Sequence, residues 1–161
     1  YYQEIVNGNS FIKYNSTKKN LPVKWNPLFK IDEKYYLYAP SDWMSSYGYI
    51  FSDSTIIKQY SDGPDVYALL SAKKISNKKY EFKTLTTNNI TTKISIFIID
   101  DQNHIAVWKF VSNKETHYEL MVDVDYLKRF PIVVCDCGDT KCLMEYHFKL
   151  INFEKLIKNI Q

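Results

Sequence analysis

The chain has 161 residues, of which 45% are hydrophobic and 24% are charged. This composition is typical of one globular domain with its own core, and it excludes collagen-like, coiled-coil and wholly disordered proteins. The formal net charge is +3, and Arg129 is the single arginine beside 20 lysines. Because base readout and bidentate phosphate contacts depend on arginine, nucleic acid is not an expected partner.

The first half of the chain predicts short strands separated by polar turns. Aromatic and β-branched residues, which favour a pleated and half-buried surface, alternate with segments rich in Ser, Asp, Asn and Pro. Trp43 to Ser46 is predicted to form one helical turn capped by Ser41. The predicted strands are Ser10–Tyr14, Lys34–Ala39, Tyr47–Phe51 and Thr55–Tyr60, followed by a turn at Ser61–Pro64.

The middle of the chain predicts a meander of hairpins. Short polar loops such as Asp100–Asn103 lie between runs of β-branched and aromatic residues, a pattern typical of hairpin connections. In the last of these strands, period-two alternation places Tyr118, Leu120, Val122 and Val124 on one face. The predicted strands are Val66–Ile75, Tyr80–Leu85, Thr92–Ile99, Ile105–Val111 and His117–Val124.

In the C-terminal part, the spacing of apolar residues changes from a strand-like to a helical period. A short helical link, Asp125–Phe130, is predicted to end at Pro131, and a last hairpin is predicted from Ile132–Cys137 and Cys142–Leu150. From Asn152 to Gln161 the apolar residues follow the i, i+3, i+4, i+7 spacing of an amphipathic helix, with Asn152 as the N-cap. The apolar positions are Phe153, Leu156, Ile157 and Ile160.

These elements predict a mostly β (α+β) fold in one β-rich domain that covers residues 1–161. Strands do not alternate with helices, which argues against a parallel sheet built from βαβ units. We therefore expect an antiparallel meander that forms a barrel or a sandwich, with the C-terminal amphipathic helix packed on a sheet face or across a barrel end.

A cysteine cluster is the most specific local feature. Cys137 and Cys142 flank the predicted loop 138–141, so as opposed strand residues they would lie within disulfide range, and we expect a bridge between them. Cys135 and His147 complete a set of three thiolates and an imidazole that could instead hold structural zinc. In an intracellular protein, the three cysteines would be reduced core residues. The bridge is the working prediction, with no metal and no cofactor.

Catalysis is not expected. The sequence contains no Gly-x-Ser-x-Gly elbow, no His-Glu-x-x-His motif and no glycine-rich phosphate loop, and four glycines leave little material for one. None of His104, His117 and His147 lies in a recognisable nucleophile motif. We therefore predict a protein that is not an enzyme.

Tyrosine is strongly enriched, with 14 residues in the chain. Tyr and Trp bury a large area at low entropic cost and keep a polar tip, so they are common at protein interfaces. The segment Asp42–Tyr49, expected to connect two strands, is the candidate partner-binding patch through Trp43, Tyr47 and Tyr49. The alternative is that these rings pack within the sheet.

The start at Tyr1 rather than Met suggests a processed chain from which a signal peptide or lipoprotein leader was removed. No apolar run is long enough to cross a membrane, although a lipid anchor could lie upstream of residue 1. We expect a periplasmic or secreted, non-enzymatic binding protein that engages a protein partner through aromatic surface loops. A periplasmic lipoprotein and a toxin-neutralising immunity protein are examples of this class. The sequence does not determine the oligomeric state.

A second hypothesis is a carrier of a small apolar ligand. A meander with a terminal helix resembles lipocalin-type barrels in architecture, and such barrels enclose one ligand. Trp25 lies in the segment Val23–Pro27 without the Gly-x-Trp signature, so the resemblance implies no ligand residues. A carrier would line its cavity with residues such as Ile96, Ile98, Val107 or Tyr118.

Overall fold

The structure is a computed structural model that describes residues 20–41, 45–113, 115–135, 148 and 150–160. Its main element is a closed barrel of eight antiparallel strands, so the predicted antiparallel meander is confirmed as a barrel. The strands follow one another around the barrel in chain order. They are β1 (Lys24–Pro27), β4 (Tyr47–Phe51), β5 (Thr55–Tyr60), β6 (Gly63–Ser76), β7 (Lys79–Thr86), β8 (Thr91–Asp100), β9 (Ile105–Val111) and β10 (Thr116–Asp123).

The barrel closes through β1, which pairs with both neighbours. Trp25 is the register partner of Tyr49 in β4 and of Asp123 in β10. No strand was predicted here, because four residues that include Asn26 and Pro27 carry little strand signal. The predicted strands Tyr47–Phe51, Thr55–Tyr60 and Ile105–Val111 match the observed ones residue for residue.

A small sheet lies beside the barrel. It contains β2 (Phe29–Ile31), β3 (Lys34–Ala39) and β11 (Ile132–Val134), with β3 in the centre. β2 and β3 form an antiparallel hairpin, whereas β11 pairs with β3 in parallel. β2 was not predicted. Most of Cys142–Leu150, the expected hairpin partner of β11, lies outside the described residues.

Aromatic rings fill the middle of the barrel. Alternate residues of each strand point inward, and Trp25, Phe82 and Trp108 are each at most 1% exposed. The Trp108 ring centroid lies 5.6 Å from that of Trp25, 4.8 Å from that of Tyr49 and 5.7 Å from that of Phe51. The core of the barrel is therefore a packed aromatic cluster.

A second core covers the outer face of β8, β9 and β10. Tyr118, Leu120 and Val122 share this face, as the alternation predicted. Val124 was predicted on the same face but instead begins the 3-10 helix that follows the strand. This 3-10 helix (Val124–Arg129) and a short helix, α1 (Phe153–Ile157), pack here, with Ile157 fully buried. Strands β8 to β10 are thus apolar on both faces.

A side chain caps the N-terminus of each of these two helices. Asp123 accepts a hydrogen bond from the backbone N–H of Asp125, and Pro131 follows the last turn. Asn152 accepts from the backbone N–H of Lys155 at 3.0 Å, which confirms it as the N-cap of α1. α1 ends at Ile157, earlier than the predicted Gln161, because the Ile160 N–H bonds to the Ile157 carbonyl in a tighter turn.

Replacement of Ile157 by Ala tests the packing of α1. Deleting a fully buried side chain removes apolar burial and leaves a cavity, so we expect the free energy of unfolding to fall by about 2 to 5 kcal/mol. Urea denaturation measures this change. The control is Lys158→Ala, because the next residue is exposed; its effect should stay within about 0.5 kcal/mol. Equal, small effects of both substitutions would contradict the packing described here.

Candidate functional site

A buried ion pair lies inside the barrel near the end where β4 begins, which we call the Tyr47 end. Lys58 of β5 follows the inward-facing Ile56 with period two, and Glu119 of β10 precedes the inward-facing Met121 in the same way. The Lys58 Nζ lies 3.0 Å from the Glu119 Oε1. The two side chains are 12% and 11% exposed. Each charge has therefore lost most of its hydration and depends on the other.

Three tyrosine rings surround the ammonium group of Lys58. Its Nζ lies 4.2 Å from the ring centroid of Tyr47, 5.3 Å from that of Tyr49 and 5.2 Å from that of Tyr60. These distances allow cation–π attraction, which is stronger where water is excluded. We call Lys58, Glu119, Tyr47, Tyr49 and Tyr60 the tyrosine–lysine cluster.

Burial and charge fix the protonation states in this cluster. Burial raises the pKa of the phenols of Tyr47 and Tyr49 well above the usual value, and the nearby Glu119 carboxylate raises both further. For Lys58, burial alone would lower the pKa, but the Glu119 carboxylate and hydrogen bonds to Tyr60 and Glu119 outweigh it and raise the pKa. Lys58 therefore stays charged and the two phenols stay neutral at physiological pH.

Three polar atoms in and beside the cluster lack hydrogen-bond partners within the described part of the chain. They are the Tyr49 hydroxyl, the Trp108 Nε1 and the Glu119 Oε2, all buried. A buried polar group without a partner destabilises the fold by about 1 to 3 kcal/mol. Most such groups in native proteins are paired, so these three, which extend from the cluster to the middle of the barrel, are exceptions.

An aromatic cleft lies on the outside of the barrel at the same end. It has a volume of about 340 Å³ and runs between β1, β4 and the small sheet. The ring centroids of Phe29 and Phe148 are 4.3 Å apart, and Tyr38 meets Phe148 edge-on at 5.1 Å. The lining residues, which we call the aromatic cleft, are Asn26, Pro27, Phe29, Tyr38, Pro40, Ser45, Ser46, Tyr47 and Phe148.

The structure separates the residues predicted to bind a partner. Tyr47 is half-buried and lines the aromatic cleft, as a contact residue would. Tyr49 does not belong to the predicted surface patch, because from β4 it points into the barrel and is 1% exposed. Trp43 and the predicted bridge residues Cys137 and Cys142 lie outside the described residues.

Sequence reasoning missed Lys58 and Glu119. A lysine in a strand normally faces solvent, and on β10 the neighbours Leu120 and Met121 are both buried, so alternation did not show which face lies inside. The signal that could have found Lys58 is its period-two relation to Ile56 and Tyr60.

The expected lining of a ligand cavity is wrong in part. Ile96 and Ile98 do face the barrel interior. Val107 and Tyr118 instead lie in the outer core, beneath the 3-10 helix and α1. They point outward because the inward positions on β9 and β10 are those of Trp108 and Glu119.

The raised tyrosine pKa values predict loss of stability in alkali. The unfolded chain releases phenolic protons at about pH 10, whereas folded Tyr47 and Tyr49 resist release, so stability is complete below that pH and falls as the pH rises above it. We expect phenolate absorbance to rise in two steps, the second together with loss of the near-UV circular dichroism signal. The same protein in urea should titrate in one step. A single step in the folded protein would contradict burial of these phenols.

Glu119→Gln tests the buried ion pair. The substitution leaves the Lys58 ammonium without its partner, so the free energy of unfolding should fall by about 3 to 5 kcal/mol. Glu115→Gln removes the same charge from an exposed turn residue of the same barrel end. Its effect on urea denaturation should be within about 0.5 kcal/mol. If both variants unfold at the same urea concentration, the pair does not have the burial described here.

The described part of the chain contains no group of three or more His, Cys, Asp or Glu side chains able to hold a metal ion. The zinc reading of the cysteine cluster involves Cys137, Cys142 and His147, which lie outside that part. Among the described helices, none has the length and apolar character needed to cross a membrane. Comparison of the chain with family models, with curated proteins and with solved structures finds no match.

Proposed function

We propose that this protein is a non-enzymatic binding protein that engages a protein partner through the aromatic cleft. The observation that carries the proposal is the cleft itself, where half-buried rings of Phe29, Tyr38, Tyr47 and Phe148 border a space of about 340 Å³. Clefts lined by aromatic rings with a few polar groups are suited to anchor side chains of a partner. Trp43, close to Tyr47 in the chain, belongs to the same proposed surface.

The tyrosine–lysine cluster supports this role by holding one wall of the cleft. Tyr47 lines the cleft and also contacts the Lys58 ammonium, which Glu119 fixes from the other side. A contact ring that is already ordered loses less conformational entropy when a partner binds. The buried ion pair thus explains how a surface tyrosine is presented in one orientation.

The packed interior favours contact with a macromolecule over carriage of a small apolar ligand. A carrier needs an apolar chamber, but the middle of this barrel is occupied by Trp25, Phe51, Phe82 and Trp108. The exterior cleft suits one or two side chains of a partner. An extracytoplasmic location, as in periplasmic lipoproteins or immunity proteins, is part of the proposal and rests on the expected Cys137–Cys142 bridge.

Site-specific photo-crosslinking tests the proposed function. A benzophenone amino acid at position 38, in the cleft, should give a discrete adduct with one protein in the cells that produce the chain. The same group at position 128, which is exposed on the 3-10 helix, is the control and should not give this adduct. No adduct from position 38, or the same adducts from both positions, would overturn the proposal.

Affinity for the crosslinked partner then tests the contact residues. Phe29→Ala should weaken binding about tenfold or more, as expected for an aromatic anchor. The control is Ile75→Ala, which removes a side chain of an apolar residue that is 52% exposed on β6, away from the cleft. Thermal melting shows that both variants are folded. Equal affinity of Phe29→Ala and the parent protein would remove the cleft from the interface.

A further inference from the structure

A second pocket lies at the end of the barrel opposite to Tyr47, where the turns after β6 and β8 meet. Its volume is about 380 Å³. Trp25, Tyr80 and Ile98 form its apolar part, and all three belong to the barrel core. The indole Nε1 of Trp25 already donates to the Pro22 carbonyl at 2.9 Å. The indole nitrogen therefore needs no further partner. Trp25 and Tyr80 are 1% and 2% exposed and Ile98 is 9% exposed, so the floor presents a small apolar surface to a ligand.

Lys74 places a positive charge at the rim. It is the register partner of Tyr80, so its side chain lies on the inward face of β6, and its Nζ is 5.9 Å from the Tyr80 ring centroid. Of the carboxylates in the described ranges, none lies within ion-pair distance of Lys74. Asp101, the acidic residue of the rim, is paired with Lys78 at 3.3 Å.

His104 also lines this pocket and is held in place by its neighbours. Its Nδ1 lies 3.2 Å from the Oδ2 of the buried Asp123, and its ring stacks on Tyr126 with centroids 4.0 Å apart. The backbone of His104 has a φ of 52°, a left-handed conformation that is uncommon outside glycine. This conformation belongs to the turn between β8 and β9, in which His104 directly precedes β9.

We propose that this pocket binds a small organic carboxylate. The apolar body would pack on Trp25, Tyr80 and Ile98, and the carboxylate would meet Lys74, with the Asn77 side chain beside it on the rim. Among the described residues, Asp101 is paired with Lys78 and Asp123 contacts the imidazole of His104, whereas no carboxylate lies within ion-pair distance of Lys74. The pocket therefore selects an anion over a cation of the same shape. This site is separate from the aromatic cleft and does not depend on the proposed function.

Titration with a matched pair of probes tests the charge preference. Phenylbutyrate and phenylbutylamine share one skeleton and differ in the charge at the end. In ¹H–¹⁵N correlation spectra, phenylbutyrate should shift the Trp25 indole resonance and the amides of Asn77 and His104 in a saturable way. Phenylbutylamine should bind at least about tenfold more weakly. Equal binding of both probes, absence of saturable shifts, or shifts that map elsewhere would overturn the proposal.

Two neighbouring lysines provide the variant and its control. Lys74→Gln should weaken phenylbutyrate binding about tenfold, the loss expected for a charged hydrogen-bond donor. Lys73→Gln removes the same charge from the adjacent residue, which faces outward on β6 as the register partner of Glu81; it should leave the affinity unchanged. Both lysines are exposed, so neither substitution threatens folding. If the two variants weaken binding equally, the attraction is a general effect of the protein's positive charge.

Discussion

Pairing of β1 with both β4 and β10 is the constraint on which the rest of the structure depends. Only this four-residue strand joins the two ends of the meander. Closure removes the free edges of the sheet and encloses the aromatic core around Trp108. It also brings Glu119 of β10 across the barrel to Lys58 of β5. Without β1, the inward face would be an open sheet surface, and a buried ion pair could not form.

The buried ion pair serves to position neighbouring side chains rather than to increase the free energy of unfolding. Transferring two charges out of water costs several kcal/mol, and a well-packed apolar pair is often at least as stable. Retaining Lys58 and Glu119 is therefore better explained by what they hold in place. Lys58 contacts three tyrosine rings at once, and one of these, Tyr47, lies at the boundary between the barrel interior and the aromatic cleft.

Sequence patterns predicted the fold where the signal was local. Hairpins such as β8–β9 carry a polar loop between apolar runs, and the Asn152 cap is a short-range feature. β1 was missed because its strand state depends on partners far away in the chain. Tyr49 was misplaced because its ring could belong either to a surface or to a core, and only closure of the barrel decides between them. Glu119 was not predicted as a site residue because both faces of β10 are buried. The alternation of apolar and polar residues therefore does not show which face points into the barrel.

The parallel pairing of β11 with β3 and the pairing of β1 with β10 both affect the order of folding. Ile132 pairs with Leu37, and Asp123 with Trp25, so both contacts join segments from opposite parts of the chain. Loops of this length carry a high closure entropy, and contacts between distant segments form late. The hairpins from β4 to β10 are local and can form first during synthesis. Until β1 docks, the outer edges of β4 and β10 are exposed to other chains, so barrel closure also protects these two edges from pairing with another molecule.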